Sequence, residues 1–135
     1  MDLEIIEIAE ETKNNKYIKN HTHSSKLKNH LCGDEIQIKL IIKKRQIIDF
    51  AYEGESCIYC QASASLLSKI LIKKDIIEMG KLCNDAESYF SGHKEIIEKK
   101  WIILKRLFKP KNITRKECIL LPFKALKKLI YQIKL

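Results

Sequence analysis

Apolar and polar positions alternate from Glu35 to Lys44, with Ile36, Ile38, Leu40 and Ile42 on one face and Gln37, Lys39 and Lys43 largely on the other. That period predicts a strand half-buried in an antiparallel sheet. Ile48, Phe50 and Tyr52 form the inward set of a second strand, after a turn near Lys44-Arg45. The turn has neither Gly nor Asn, which leaves its type and the register open. Past Gly54 the period lengthens. Ala62, Leu66, Leu67, Ile70 and Leu71 fit one helical face, and Ile76, Met79, Cys83, Ala86 and Phe90 fit another. A further helical stretch covers roughly 94–107, with Ile97, Trp101 and Leu104 at core spacing. Lys109-Pro110-Lys111-Asn112 breaks the chain. A last helix over about 119–133 turns Phe123, Leu126, Leu129, Ile130 and Ile133 inward, with Pro122 in its first turn, where a missing N–H costs little. Ahead of the strands, residues 2–13 read as a short amphipathic helix with Leu3, Ile6 and Ala9 inward, and 14–31 as a polar loop. A short hairpin followed by several helices is an α+β pattern.

The chain of 135 residues predicts one domain over 1–135, with an N-terminal helix and polar loop over 1–28 and the core over 29–135. A chain this size hides roughly two-thirds of its unfolded surface, so its core does not need disulfides. No apolar run is long enough for a membrane span. The opening Met1-Asp2-Leu3-Glu4 is acidic and unlike a secretory signal. Five cysteines without an export signal imply a reducing, cytoplasmic setting, where thiols serve reactivity or metal.

The formal charge is +9, and residues 94–135 hold 13 basic and 3 acidic side chains, the whole of the excess. Such a half could dock an acidic partner or phosphates. The composition of 23 Lys, 23 Ile and only 3 Arg favours drift over nucleic-acid reading, because Arg is the better reader of phosphate and bases.

The chemistry lies in three cysteine islands. Cys32-Gly33-Asp34 precedes the first strand, Cys57-Ile58-Tyr59-Cys60 follows the second, and Cys118 heads the last helix. Thiolates far apart in sequence, each beside a turn or a helix start, suit a soft-metal site assembled by the fold. Cys60, at a helix start, is expected to have a lowered thiol pKa, and Ser63 and Ser65 to bond local backbone. The small residues of Gln61-Ala62-Ser63-Ala64-Ser65 would let that helix approach neighbouring backbone closely. Gly33 permits a sharp turn between thiol and carboxylate. Three thiolates plus the harder Asp34 would bind a cluster or zinc less firmly than four cysteines, which suits a protein that hands its metal on.

The order Asn29-x-x-Cys32-Gly33-Asp34, two strands, Gly54-x-x-Cys57 with Ala62-Ser63-Ala64-Ser65, then Arg115-x-x-Cys118 with Leu120-x-x-Phe123-Lys124-Ala125-Leu126 resembles the NifU-like N-terminal family, the IscU- and SufU-type iron–sulfur cluster assembly scaffolds. The resemblance implies a small antiparallel sheet of about three strands packed against several helices, with three cysteines at one end. It implies that Cys32, Asp34, Cys57 and Cys118 hold a transient [2Fe–2S] cluster or Zn2+. It further implies sulfur delivery by a cysteine desulfurase docked beside the site and transfer to iron–sulfur acceptor proteins. In the SufU branch a zinc-bound form acts chiefly as the sulfur acceptor.

Three departures stand out. His30 replaces a frequent proline and could add a ligand. Glu117 precedes Cys118 where histidine or lysine is usual, and should raise the Cys118 pKa and could itself bind metal. Cys60 is extra, as an alternative ligand, a resolving thiol or packing. Elsewhere Cys83 reads as a small buried hydrophobe, His21 and His23 as solvated, and His93 as a surface or capping residue. Lys124 could position sulfide or lie in solvent, and Tyr59 could shield a cluster or simply pack. The expectation is a scaffold that binds and transfers rather than turns over, monomeric or weakly dimeric, off the membrane. The alternatives are a zinc-bound sulfurtransferase and a basic interaction module with a vestigial site. Lys127 and Lys128 are candidates for docking an acidic desulfurase surface.

Overall fold

The computed structural model describes residues 3–30, 32–91 and 99–133. Helix α1 (Leu3–Ala9) is followed by strands β1 (His23–Lys28), β2 (Glu35–Lys43) and β3 (Gln46–Glu53). Helices α2 (Ile58–Leu71) and α3 (Ile76–Phe90), 3₁₀ segments Lys99–Arg106 and Pro110–Arg115, and helix α4 (Lys116–Ile133) complete it. The strands form an antiparallel sheet in the order β1-β2-β3, which is the α+β architecture expected. β1 falls in the stretch read as polar loop. Its one apolar residue, Leu27, gave no alternation to read, and backbone pairing with β2 from His23↔Leu40 to Lys28↔Glu35 makes it a strand.

Ile36, Ile38 and Leu40 point inward from β2 as predicted. β3 departs from the prediction at one point. The register shifts between Ile41 and Ile42, which pair with Asp49 and Ile47, so Ile48 is passed over. A one-residue slip sends a side chain to the other face. Ile47 is therefore fully buried, while Ile48 is 44% exposed. The hairpin closes through Lys44 and Arg45 at φ 50° and 66°, the pair of positive φ values that a type I′ turn requires.

α2 is the central helix, buried from Ala62 to Ser68. Its small residues let other backbone come close. Ser65 Oγ donates to the Glu11 carbonyl at 2.8 Å and Ser63 Oγ to the Ile119 carbonyl at 2.6 Å. These bonds reach across the fold, rather than to local backbone as expected. α3 buries Ile76, Met79, Cys83, Ala86 and Phe90, the predicted stripe. Trp101 and Leu104 are core residues on a 3₁₀ segment, while Ile97 and His93 lie outside the described residues. α4 starts earlier than predicted, which moves Pro122 from the first turn into the helix interior. α1 buries Ile5, Ile8 and Ala9, whereas Leu3 is 79% exposed. Two apolar stripes overlap in this short helix, and the one spaced i, i+3, i+4 faces the core.

The outer side of β3 is engaged by the chain on either side of the sheet. Tyr52 N–H donates to the Asn14 carbonyl at 3.0 Å, and Ile47 exchanges backbone bonds with Lys73 and Lys74 at 2.7 and 2.9 Å. On β1, the Lys26 carbonyl accepts from Lys128 Nζ at 3.1 Å.

α1 is tied to the chain ahead of α4 by Glu4, which accepts from Lys109 Nζ at 2.6 Å and Arg106 Nε at 3.2 Å. The bond from Lys109, then that from Arg106, holds the Glu4 carboxyl below its ordinary value of 4.5. A carboxylate of lowered pKa contributes stability that is present above the unfolded-state value and lost as pH falls through the folded one. Glu4→Gln should cost up to about 1 kcal/mol at neutral pH. Melting curves of variant and parent should converge in acid, and an equal gap at all pH values would refute this role.

Candidate metal centre

Three segments bring the cysteine islands together. The β1–β2 connection closes on itself, with Asn29 N–H donating to the Asp34 carbonyl at 2.7 Å and Gly33 N–H to the Asn29 carbonyl at 2.8 Å. Gly33 takes φ +79° there. The β3–α2 connection is held to the start of β2 by Glu35 N–H bonding the Glu55 carbonyl at 2.9 Å. This approach requires Gly54, because a Cβ at that position would lie 2.2 Å from the Glu35 carbonyl oxygen. Cys118 comes from the first turn of α4.

The Sγ atoms of Cys32 and Cys118 and a carboxylate oxygen of Asp34 lie within 4.8 Å of one another. Cys57 lies outside this set, though near enough to Cys118 to act on its thiol. Cys57 is the N-cap of α2, in extended conformation, and its own side chain makes no capping bond. Its N–H donates instead to Asp34 Oδ1 at 3.0 Å. The other carboxylate oxygen, Oδ2, is buried with no hydrogen-bond partner. Asp34 is only 7% exposed. A buried carboxylate oxygen without a donor is costly unless a cation or proton meets it. With thiols beside it, this donor set fits a thiophilic cation or an iron–sulfur unit.

Burial pushes the Cys118 thiol well up, and the neighbouring Cys57 and the charges of Asp34 and Cys32 add to it. The direction is the one expected, but the cause is not Glu117. That side chain turns away to pair with Lys124 at 3.1 Å. Without a cation the Cys118 thiol keeps its proton, and a metal entering must displace it. Cys32 is exposed and Cys57 half-buried, so the centre opens on that side.

Cys60 does not behave as its place near a helix start suggests. Burial raises its thiol to about 12, because desolvation of the thiolate outweighs the helix dipole. Cys83 is likewise buried, its thiol raised to about 12. Tyr59 lies under Arg115, 4.8 Å from guanidinium to ring centroid. His21 and His30 are exposed, and no histidine joins a metal-competent group among the described residues. Two roles were missed by sequence reasoning: Asp34 as the acceptor for the N–H of the α2 N-cap residue, and Ser63 as the anchor of the α4 backbone. Pro122 has no N–H for the Cys118 carbonyl four residues back, and Ser63 grips the next carbonyl, that of Ile119.

The family model for the NifU-like N-terminal domain matches residues 2–95. The chain belongs to the NifU-like N-terminal domain family. This NifU-like chain is 33% identical over 107 residues to the iron–sulfur cluster assembly scaffold protein IscU of Thermotoga maritima, covering 78% of this chain and 75% of that one. Among solved structures it is similar to a NifU-like N-terminal protein from Brucella abortus, with TM-score 0.84, 21% identity, and coverage of 98% and 93% of the two chains. It is equally similar, at TM-score 0.84, to a candidate scaffold of the SUF system from Fervidobacterium islandicum, with 24% identity and coverage of 96% and 95%. At those identities the two structures speak for the fold. The family match ends before Cys118, whose place beside Cys32 and Asp34 rests on the geometry above.

Asp34 offers a test of its two roles. Asp34→Asn keeps an acceptor for the Cys57 N–H and removes the anion, whereas Asp34→Ala removes both. Urea denaturation should show the alanine variant about 1 kcal/mol less stable than the asparagine variant. Equal stability would mean that the Cys57 N–H bond to Asp34 does not help to fix the start of α2.

Proposed function

We propose that this chain is an iron–sulfur cluster assembly scaffold that holds a nascent [2Fe–2S] cluster on Cys32, Asp34, Cys57 and Cys118 and passes it on. The observation that carries the reading is the convergence of Cys32, Asp34 and Cys118 within 4.8 Å, with Cys57 beside them. The cluster is cargo here. Thiolates bind iron well, and the harder Asp34 oxygen holds it less firmly, which favours release. A cysteine desulfurase supplies the sulfur, and acceptor proteins receive the assembled unit. Cys32, exposed at the open side, is the thiol best placed for exchange.

The spacing also favours a second reading, a zinc-bound sulfur acceptor for the desulfurase. Ligands around one tetrahedral zinc at a Zn–S distance of about 2.3 Å stand roughly 3.8 Å apart. Donor atoms within 4.8 Å are near that spread, and two irons would need a wider one. The deciding experiment is iron, zinc and acid-labile sulfide analysis with a visible spectrum. The protein is purified without oxygen and then given iron, cysteine and a desulfurase. Matching iron and sulfide with thiolate-to-iron absorption supports the scaffold. Zinc that resists replacement, with faster desulfurase turnover, selects the sulfur acceptor. Neither metal retained would refute both.

A further inference from the structure

The pole of the molecule away from the cysteines carries a second feature. Tyr131 lies about 20 Å along α4 from Cys118 at 1.5 Å per residue. The β2–β3 turn lies about 30 Å along the sheet from Asp34. Here α3 and α4 leave a groove of 510 Å³ between them. Its floor is apolar, formed by Ile76, Ile77, Ile130, Tyr131 and Ile133, and its charged lining residues are Arg45, Lys81 and Lys127, with no carboxylate. Ile77 and Tyr131 are 66% and 65% exposed.

Cations crowd the rim. The linker between α2 and α3 is zipped onto the β2–β3 hairpin by the Ile47 bonds to Lys73 and Lys74 and by Ile76 N–H to the Arg45 carbonyl at 3.0 Å. This brings Lys73 and Lys74 beside Lys43, Lys44 and Arg45. All five are exposed, and none of the ion pairs among the described residues involves them. Lys127 is paired with Glu87 at 3.3 Å. Three of these cations, Lys44, Arg45 and Lys73, stand at positive φ, where Asn or Gly is cheaper by about 1 kcal/mol. The sequence places charge where conformation alone would select glycine.

We propose that this pole is a docking site for an acidic amphipathic helix of a partner protein. Its apolar face would lie between α3 and α4, and its carboxylates would meet Arg45, Lys44, Lys73 and Lys74. A concave apolar floor suits a helix laid in a groove. It suits a flat membrane surface less, and phosphates, which gain nothing from isoleucine, least of all. Because the groove is remote from the cysteines, its occupant can stay bound while the metal centre remains accessible. The inference stands independently of the cargo carried there.

The test uses the full chain and a fluorescein-labelled synthetic peptide of glutamate and leucine in helical amphipathic order. A scrambled peptide of identical composition is the control. Fluorescence anisotropy should show the ordered peptide binding at least about tenfold tighter than the scrambled one. Ile77→Asp, at an exposed position, should remove that preference while leaving the circular dichroism spectrum unchanged. The double variant Lys44→Asn, Arg45→Gly should weaken binding and flatten its salt dependence, yet melt a few degrees higher because the turn is relieved. Equal affinity for the two peptides, or no effect of Ile77→Asp, would overturn the proposal. Tighter binding to phosphatidylglycerol vesicles or to a DNA duplex than to the ordered peptide would overturn it as well.

Discussion

Cys118→Ser is expected to leave the chain folded and to remove its hold on iron and sulfide. The residue is 5% exposed in the first turn of α4, and serine is close to isosteric with cysteine, so the helix has no reason to move. The chemistry changes far more than the shape. A hydroxyl does not ionise near neutral pH and is a hard donor, whereas the proposed site would rely on soft thiolates. Loss of a supporting group around a metal typically costs 10–100-fold in affinity, and loss of a ligand should exceed about 100-fold. Cys83→Ser is the opposite case. Cys83 lies in the apolar stripe of α3, so its replacement buries a hydroxyl and should lower stability by about 1–2 kcal/mol with metal content intact. Paired measurement of iron, sulfide and urea midpoint for both variants checks the argument. A Cys118→Ser protein with full iron and sulfide would remove Cys118 from the site.

Gly54→Ala should be the most destabilising of the single-atom changes discussed. The added carbon would sit 2.2 Å from the Glu35 carbonyl oxygen and 3.0 Å from Ile36 Cα, both backbone atoms that cannot step aside. Gly54 also has φ +146°, a conformation that side chains rarely adopt. Strain and clash together should cost about 3 kcal/mol or more. The damage should spread to the metal centre, since the Glu35–Glu55 backbone bond fixes the segment leading to Cys57. Gly33→Ala makes the comparison. Its φ is +79°, but a Cβ there meets nothing within 4 Å, so only the conformational term applies, about 1 kcal/mol. Equal urea midpoints for the two variants would sink this account of Gly54.

How much of this was legible in the sequence depended on whether the determinant was local. β2 and the stripes of α3 and α4 follow from the spacing of their own apolar residues. β1 did not, because its identity comes from pairing with β2 and it has little apolar content of its own. The exchange of Ile47 for Ile48 has a similar origin: a bulge is a relation between two strands and leaves no mark on either alone. The cysteine islands were visible as motifs, and the fold brings Cys32, Asp34 and Cys118 together. The burial that raises Cys60 and Cys118, and the pairing of Glu117 with Lys124, depend on neighbours distant in sequence. For Cys60 the helix start is a local signal that the surrounding core overrides.

The bonds along the flanks of the sheet have a consequence for behaviour at high concentration. A strand with unpaired backbone groups is a template on which another chain can add. β3 is protected by Asn14 on one stretch and by Lys73 and Lys74 on another. β1 is short, and its Lys26 carbonyl is occupied by the Lys128 ammonium, a charge that an approaching strand would have to displace and desolvate. Oligomers that grow by strand addition are thereby discouraged at both borders of the sheet, so a protein with an exposed thiol at Cys32 can be crowded without its sheets fusing into fibres.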